Sequence, residues 1–144
     1  MPANEKVLAV VKEWVIKAEN DLKTAAHTLK LGKDCPTDTV CFHAQQCVEK
    51  YFKACLVLDG VDFPKTHDLA RLTRRLPNSV RKCLTADDLD MLTEYATWAR
   101  YPGWGEISLT QARRAVALAR RARAVVRRLL PRQALRRRKQ FQRK

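Results

Sequence analysis

Apolar side chains recur at steps of three and four along most of the chain, and this spacing is the strongest constraint on its fold. The first stripe lies between residues 5 and 31 and consists of Val7, Val11, Trp14, Ala18, Leu22, Ala25 and Leu29. Steps of this size place side chains on one face of an α-helix. Alternation at period two, which would indicate strands, is absent from the sequence. The pattern therefore predicts an all-α protein, with a first helix that ends at Gly32.

Turn and capping residues indicate further helices. Thr37 or Asp38 is suited to cap the second helix, and Thr66 and Thr85 are suited to cap the next two. Pro77 stops the third helix. Helices of this length joined by short connectors favour an antiparallel up-down bundle of four to five helices. After the first helix we place the others at residues 37–58, 66–76, 85–99 and 108–130.

The excess positive charge is confined to the C-terminal part of the chain. The sequence has 29 Lys and Arg against 15 Asp and Glu, which gives a net charge of +14. Residues 1–106 contain all 15 acidic residues and 15 of the basic ones, so their charges balance. Residues 107–144 contain the other 14 bases and no acid. The length suits one ordinary domain. We assign residues 1–131 to a single helical domain and expect residues 132–144 to form a basic, disordered tail.

Arginine pairs on the last helix repeat every seven residues. They are Arg113 and Arg114, Arg120 and Arg121, and Arg127 and Arg128. The repeat places these guanidinium groups on one helix face. The opposite face carries Leu118, Ala122, Val125 and Leu129. A solvated face usually mixes charges of both signs, and this one has no acid. The pattern indicates contact with RNA, DNA or an acidic protein, with a solvated face as the alternative.

The five cysteines include no CxxC pair. An odd number without paired spacing is typical of reduced thiols that fill a core. A metal site that adds His43 to these thiols is the alternative, but structural zinc sites have tighter ligand pairs. We expect no metal and no cofactor. The N-terminal residues do not resemble a secretion signal, and no apolar run is long enough for a membrane span. We therefore expect a cytoplasmic protein with no membrane partner.

The second helix has a polar stripe as well as an apolar one. In FHAQQCVEKYFKACL, residues 42–56, the polar residues His43, Gln46 and Lys50 recur at helical spacing. An imidazole, an amide and an ammonium in line can bind phosphate together with a base or ribose. Such a stripe predicts a covered surface, either a nucleotide pocket or a polar dimer interface. His67 could join it, although a role in orienting or capping the third helix is the alternative.

The loop RYPGWGE, residues 100–106, adds a guanidinium beside aromatic rings. Arg100 could bind a phosphate while Tyr101 stacks on a base. The alternative is that Tyr101, Trp98 and Trp104 are packed into the core.

Four stretches of the sequence together resemble a known family. They are WVIKAENDLKTA, CFHAQQCVEKYFKACLVLDG, FPKTHDLARLTRRL and ARYPG. In this order and spacing they resemble the HEPN family, the nucleotide-binding domains of higher eukaryotes and prokaryotes, over about residues 10–130. The resemblance implies a helical bundle that dimerises, with a polar cleft around the dimer contact. Family members often accompany a small nucleotidyltransferase, and others are ribonucleases that act as toxins or in antiviral defence.

The ribonuclease branch of this family carries an Arg followed, after four to six residues, by a His on the final helix. The first arginine of this chain is Arg71 and its last histidine is His67, so no arginine precedes a histidine. Arg100 occupies the expected start of the motif, but Tyr101 to Thr110 contains no histidine. Because a general acid or base of the usual kind is missing, the resemblance favours a binding module. We predict no catalytic residues.

The resulting expectation is a homodimeric nucleotide-binding or RNA-binding module, the partner of a small nucleotidyltransferase in a toxin–antitoxin or defence pair. One alternative is a divergent, metal-independent ribonuclease in which Tyr101 or Glu106 replaces the histidine. The other is a basic helical scaffold for an acidic partner protein. The predicted nucleotide-binding residues are His43, Gln46, Lys50, His67, Arg100 and Tyr101.

Overall fold

The apolar stripes of the sequence become helices in the computed structural model, which describes residues 4–136. In chain order the helices are α1 (Glu5–Leu29), α2 (Thr37–Leu58), α3 (Leu69–Thr73), α4 (Asn78–Arg81), α5 (Ala86–Ala96), α6 (Leu109–Leu129) and α7 (Arg132–Leu135). Turns of 3₁₀-helix precede α2 at Gly32–Asp34 and follow α5 at Trp98–Arg100. The described residues contain no strand. The predicted all-α helical bundle is confirmed.

Side-chain caps start three of the long helices. Asn4 Oδ1 accepts a hydrogen bond of 2.8 Å from the Val7 amide at the start of α1. The Thr85 hydroxyl accepts one of 3.1 Å from the Asp88 amide at the start of α5. At α6, Ser108 and Gln111 form a reciprocal capping box. Each cap satisfies an amide with no partner inside the helix, and stabilises the helix by about 1 kcal/mol.

Helix α2 lies at the centre of the bundle. It packs against α1, α5 and α6, and Val48, Tyr51 and Phe52 are fully buried. Burial of an aliphatic or aromatic side chain of this size contributes about 1.5 to 3 kcal/mol, so this helix supplies much of the core. Polar residues of α2 are buried as well, which brings its polar stripe into contact with the other helices. Within residues 4–136, no helix combines the length and apolar character needed to cross a bilayer.

Several helix boundaries differ from the prediction: α2 is preceded by Pro36 rather than capped by Thr37 or Asp38, and α3 ends at Thr73 rather than at residue 76. The N-cap of α3 is Asp68, and the expected cap Thr66 instead accepts from the Asp68 amide at 3.0 Å. The backbone before α3 is held by α2, where Gln45 Nε2 donates to the His67 carbonyl at 3.1 Å. Helix α5 ends at Ala96, because Thr97 has ψ of −90° and leaves the helical conformation.

The sequence analysis missed two helices of one turn each. Helix α4 begins immediately after Pro77 and buries Val80. Helix α7 lies in the segment that we expected to be a disordered tail; there Ala134 is only 1% exposed. Residues 132–135 are therefore helical rather than disordered, because Ala134 and Leu135 pack against the core. Residues 137–144 lie outside the described part of the chain.

Candidate functional site

The predicted stripe on α2 contacts a buried carboxylate of α1. Asp21 is 8% exposed and lies between two side chains that are two turns apart on α2. His43 Nδ1 is 2.7 Å from Asp21 Oδ1, and Lys50 Nζ donates to Asp21 Oδ2 at 2.5 Å. His43 and Lys50 therefore lie on the same face of α2, as predicted, and the partner that they share is Asp21 of this chain. The sequence analysis missed Asp21, although an acid between Ala18 and Ala25 on an apolar stripe was a signal.

Gln46 does not join this pair. Its amide nitrogen donates to Gln45 Oε1 at 2.7 Å and lies 3.5 Å from Glu49 Oε1. Gln46 therefore belongs to a second cluster, on the neighbouring face of α2. Of the three residues predicted to act together, the structure brings together two.

The second cluster surrounds Glu49, which is 3% exposed. Its Oε1 lies 2.8 Å from His67 Nδ1 and accepts from Gln45 Nε2 at 3.2 Å. Its Oε2 accepts from Lys53 Nζ at 3.0 Å. A buried charge is tolerated only when it is paired and hydrogen-bonded, and Glu49 meets this condition through four side chains. The sequence analysis did not identify Glu49 or Lys53, but it predicted His67 as a site residue with an orienting role as the alternative.

The ammonium of Lys53 is also enclosed by aromatic rings. It lies 5.4 Å from the ring centroid of Trp14 and 5.7 Å from that of Phe63. The two rings meet edge to face with their centroids 6.4 Å apart. Both distances to the ammonium are within the range of cation–π attraction. Lys53 therefore ties α1, α2 and the connector before α3 together, and its contacts leave it unsuited to bind a ligand.

The two histidines have the same orientation. Each directs Nδ1 at a buried carboxylate, so that Nδ1 donates a hydrogen bond and Nε2 lies on the opposite edge of the ring. Among the described residues neither Nε2 has a hydrogen-bond partner. The His43 side chain is 27% exposed and that of His67 57% exposed. Both imidazoles are therefore fixed on one edge and open to solvent on the other.

The loop after α5 places Arg100 against Phe42, the neighbour of His43 on α2. The Arg100 guanidinium carbon lies 4.5 Å from the centroid of the Phe42 ring. The Phe42 ring meets the His43 imidazole edge to face, with centroids 5.3 Å apart. A guanidinium, a phenyl ring and an oriented imidazole thus form one continuous row. The fold thus brings Arg100 into contact with Phe42, although the two residues are far apart in the sequence.

The aromatic residues of this loop are exposed. Trp98 is 69% exposed, Tyr101 67% and Trp104 42%. The alternative interpretation, in which these rings are packed into the core, is wrong, because the turn holds them outside the bundle. Gly103 and Gly105 have φ of 95° and 104°, a conformation that other residues rarely adopt, and this reverses the chain before α6.

An open groove of about 960 Å³ lies beside this loop. One wall is formed by residues 32–38 and the other by residues 99–109, including Arg100, Tyr101 and Trp104. Thr37 holds the two walls together by donating a hydrogen bond of 2.7 Å to the Ile107 carbonyl. The groove has the size of a small-molecule site and an exposed aromatic rim.

The predicted arginine face of α6 is only partly available to a partner. Arg114 binds Asp88 of α5 at 2.9 Å, and Arg127 binds Glu19 of α1 at 2.9 Å. The remaining predicted residues are exposed and have no ion pair within residues 4–136. They are Arg113, Arg120, Arg121 and Arg128. Leu129, expected to pack, is 41% exposed because it lies on the outer face of α6, while Val126 and Leu130 face the core.

Glu19 is a junction of three helices. Its Oε1 accepts from the Tyr51 hydroxyl at 2.5 Å, from Arg123 Nε at 2.7 Å and from Arg127 Nη1 at 2.9 Å. Burial acts to raise the pKa of Glu19, but the hydrogen bonds from Tyr51 and Arg123 outweigh it, so the pKa lies below its ordinary value. Burial and the bond to Glu19 raise the pKa of Tyr51. This cluster has every partner it needs and serves the fold.

The cysteines are reduced and mostly buried. Cys35, Cys41, Cys47 and Cys55 are buried and Cys83 is partly exposed. Burial, with a smaller effect of neighbouring groups, raises the pKa of Cys41 and of Cys55 to about 12. A thiol with such a pKa is a poor nucleophile and a poor metal ligand at neutral pH. In the described residues, no three His, Cys, Asp or Glu side chains are grouped as a metal site would require.

Comparisons with known proteins agree with this architecture. TT1696 from Thermus thermophilus has a similar structure, with a TM-score of 0.66 and 26% identity over 83% of this chain and 98% of that one. ST0689, an archaeal HEPN homologue, has a TM-score of 0.63 and 25% identity over 83% of this chain and 96% of that one. No curated protein matches the sequence. The family model of the HEPN domain matches residues 11–129, and the chain belongs to the HEPN domain family.

Proposed function

We propose that this HEPN-domain protein is a nucleotide-binding or RNA-binding module whose binding surface is the row formed by Arg100, Phe42 and His43 together with Tyr101. The observation that carries the proposal is the position of Arg100, whose guanidinium carbon lies 4.5 Å from the centroid of the Phe42 ring, which in turn contacts the carboxylate-oriented His43. The guanidinium is available for a phosphate and the His43 Nε2 for a ribose hydroxyl. The exposed Tyr101 and Trp98 rings offer faces for bases.

The roles of the other predicted residues change within this proposal. Lys50 shares the Asp21 carboxylate with His43 and so helps to orient it, whereas His67 and Gln46 belong to the Glu49 cluster. The exposed arginines of α6 extend the positive surface and would strengthen binding to a long strand without sequence preference.

The module is further proposed to act as a homodimer in the cytoplasm, beside a small nucleotidyltransferase of a toxin–antitoxin or defence pair. Family membership supports this part of the proposal. Sedimentation of the purified protein tests the dimer, and copurification with a tagged nucleotidyltransferase encoded next to it tests the pair. A monomer that retains no such enzyme would contradict both.

The binding surface is tested with a fluorescent single-stranded RNA of twelve nucleotides and fluorescence anisotropy. Stacking on an aromatic side chain is worth about 1 to 3 kcal/mol per base, so Tyr101→Ala should weaken binding by about tenfold or more. Leu129→Ala is the matched control, because it removes an exposed side chain of α6 that lies outside the row. Equal affinities of the two variants and the wild type would reject the surface.

A second candidate function is RNA cleavage with His43 as the acid or base. The specific observation is that Arg100 packs on the Phe42 ring, whose other contact is the Asp21-oriented imidazole of His43, although the sequence lacks the usual histidine after that arginine. A histidine positioned by a carboxylate is suited to proton transfer, and Arg100 would hold the phosphate. Incubation of labelled RNA in the presence of EDTA tests this role. Cleavage that is lost in both His43→Ala and Arg100→Ala would support it.

A further inference from the structure

A separate cavity of about 370 Å³ lies at the other end of α2. Its walls are the end of α2, the connector after it and α3. The lining includes the guanidinium-bearing residues Arg71, Arg74 and Arg75, which we call the three-arginine cavity. Along α2, Leu56 of this cavity is thirteen residues from His43, which corresponds to about 20 Å at the rise of an α-helix. The cavity is therefore distinct from the Arg100 row.

The three arginines are available to bind a ligand. All three are exposed, and among the described residues none has a carboxylate within ion-pair distance. Arg114, Arg123 and Arg127 of α6 differ in this respect, because each already binds an acid of the chain. Arg71 lies in the last turn of α3, Arg74 is the C-cap of this helix and Arg75 follows it directly, so the three lie within five residues of one another.

The charge of the lining selects among anions. Three guanidinium groups and the carboxylate of Asp62 leave two positive charges at the cavity. A phosphate monoester carries about 1.5 to 2 negative charges at neutral pH and presents three terminal oxygens. A carboxylate carries one charge and two oxygens, so it leaves part of the site uncompensated. The planar guanidinium group pairs with phosphate through two parallel hydrogen bonds.

Apolar side chains complete the site. Leu56 and Leu72 line the cavity but are almost fully buried, so Phe63 and Pro64 supply most of its accessible apolar surface. Phe63 is held in place by its edge-to-face contact with Trp14 and by the neighbouring Lys53 ammonium. A fixed apolar wall beside a positive one suits a ligand that joins an organic group to a phosphate.

We propose that the three-arginine cavity binds a phosphate monoester, with its terminal oxygens on Arg71, Arg74 and Arg75 and its organic group against the apolar wall. Two sources carry this chemistry: a soluble phosphorylated compound and the 5′-phosphate end of an RNA strand. The proposal goes beyond the proposed function and does not require the Arg100 row.

The first experiment compares phenyl phosphate with phenyl sulfate by isothermal titration calorimetry at constant ionic strength and about pH 7.5, where the phosphate is a dianion. The two probes share a ring and differ in charge. Phenyl phosphate should bind at least about tenfold more tightly. Its affinity should also fall at about pH 5.5, because protonation removes one charge, whereas that of phenyl sulfate should not change. Equal binding of the two probes would overturn the proposal.

Variants locate the binding. The triple variant Arg71→Gln/Arg74→Gln/Arg75→Gln should weaken phenyl phosphate binding by about tenfold or more. The matched control, Arg113→Gln/Arg120→Gln/Arg121→Gln, removes the same charge from exposed positions of α6 and should leave the affinity within about twofold. Melting temperatures verify that both fold, and the single variant Arg74→Gln provides a milder second test. Equal losses in both triple variants would show attraction by net charge alone and reject the cavity.

An experiment with RNA distinguishes a soluble phosphorylated compound from the 5′-phosphate end of a strand. A 5′-phosphorylated strand that binds more tightly than its 5′-hydroxyl counterpart, with the difference lost in the cavity variant, identifies the strand end as the ligand. Equal binding of the two strands, with phenyl phosphate still bound, identifies a soluble compound. Tyr101→Ala should leave phenyl phosphate binding unchanged, and the cavity variant should weaken binding of the 5′-hydroxyl strand no more than the α6 control variant does. The failure of one proposal is therefore distinguishable from failure of the other.

Discussion

Glu49 and Lys53, one turn apart on α2, form an ion pair of 3.0 Å in which both side chains are almost fully buried. Removing two charges from water is costly, and their attraction offsets this only when further contacts satisfy the remaining polar groups. Glu49 has His67 and Gln45 as additional partners, and Lys53 has the rings of Trp14 and Phe63. The pair thus attaches the connector before α3 to the bundle. The walls of the three-arginine cavity depend on this attachment.

The first prediction concerns the loss of this carboxylate. Glu49→Gln should lower the free energy of unfolding by about 3 kcal/mol, because it leaves the buried Lys53 ammonium without a counter-charge. Chemical denaturation with urea measures the change. Glu94→Gln is the control, because Glu94 is exposed on α5 and has no ion pair within residues 4–136, and it should change the stability by less than about 0.5 kcal/mol.

A double substitution distinguishes an unpaired charge from lost packing. Replacement of both partners by apolar residues of similar size, as in Glu49→Leu/Lys53→Met, should recover part of the stability lost in Glu49→Gln, since no buried charge then remains. A double variant that is much less stable than Glu49→Gln would show that the hydrogen bonds of His67 and Gln45 matter more than the charge.

The second prediction concerns Asp21. Asp21→Asn should destabilise the protein by about 2 kcal/mol, because His43 and Lys50 lose a shared, mostly buried acceptor charge. The imidazole should also lose its fixed orientation, which the two-dimensional NMR signals of His43 report. Asp90→Asn, at an exposed position of α5, is the matched control. An unchanged His43 environment in Asp21→Asn would contradict the proposed orientation of Nε2 toward a ligand.

The helices and their faces could be predicted from the sequence, because apolar periodicity and caps are local. Val11, Ala18 and Leu22 of the first stripe are all buried, and Ser108 begins α6 as expected. Helices α4 and α7 were missed, since a single turn contains too few residues to display a period. Their existence depends on burying Val80 and Ala134 against helices that are distant in the sequence.

The candidate site was predictable only in part. The sequence correctly put His43 and Lys50 on one face of α2, but it could not indicate that Asp21 lies opposite them. The same limit applies to Arg114 and Arg127, whose acidic partners come from α5 and α1. The charge pattern alone indicated a uniform basic face, whereas tertiary contacts neutralise part of it. The contact between Arg100 and Phe42 likewise depends on where the loop after α5 meets α2.

The third prediction is that protonation of Glu19 makes the stability of the protein depend on pH in the acid range. The pKa of Glu19 in the folded protein lies below its ordinary value of 4.5. Its ion pairs therefore contribute fully at neutral pH, and the contribution shrinks as the pH falls below about 4.5 and vanishes below the folded pKa. Glu19→Gln should be less stable than the wild type by about 1 to 2 kcal/mol at pH 7, after allowance for partial exposure, and the difference should narrow toward pH 3.

Urea unfolding between about pH 3 and 7 measures this difference. Glu13→Gln is a suitable control, because Glu13 is an exposed acid of α1 without an ion pair in the described residues. The difference in the free energy of unfolding between Glu13→Gln and the wild type should stay constant across this pH range. A constant difference between Glu19→Gln and the wild type would show that the carboxylate is not the group responsible.

The fourth prediction compares two buried tyrosines. The hydroxyl of Tyr95 is buried and has no protein partner within residues 4–136, whereas that of Tyr51 donates to Glu19 at 2.5 Å. A buried polar group without a partner costs about 1 to 3 kcal/mol, so Tyr95→Phe should be neutral or stabilise the protein by up to about 1 kcal/mol. Tyr51→Phe should destabilise it by about 1 to 3 kcal/mol, because Glu19 and Arg127 lose a hydrogen-bond partner. Thermal and urea unfolding of the two variants provide the comparison, and a large loss of stability in Tyr95→Phe would show that its hydroxyl has a partner in solution.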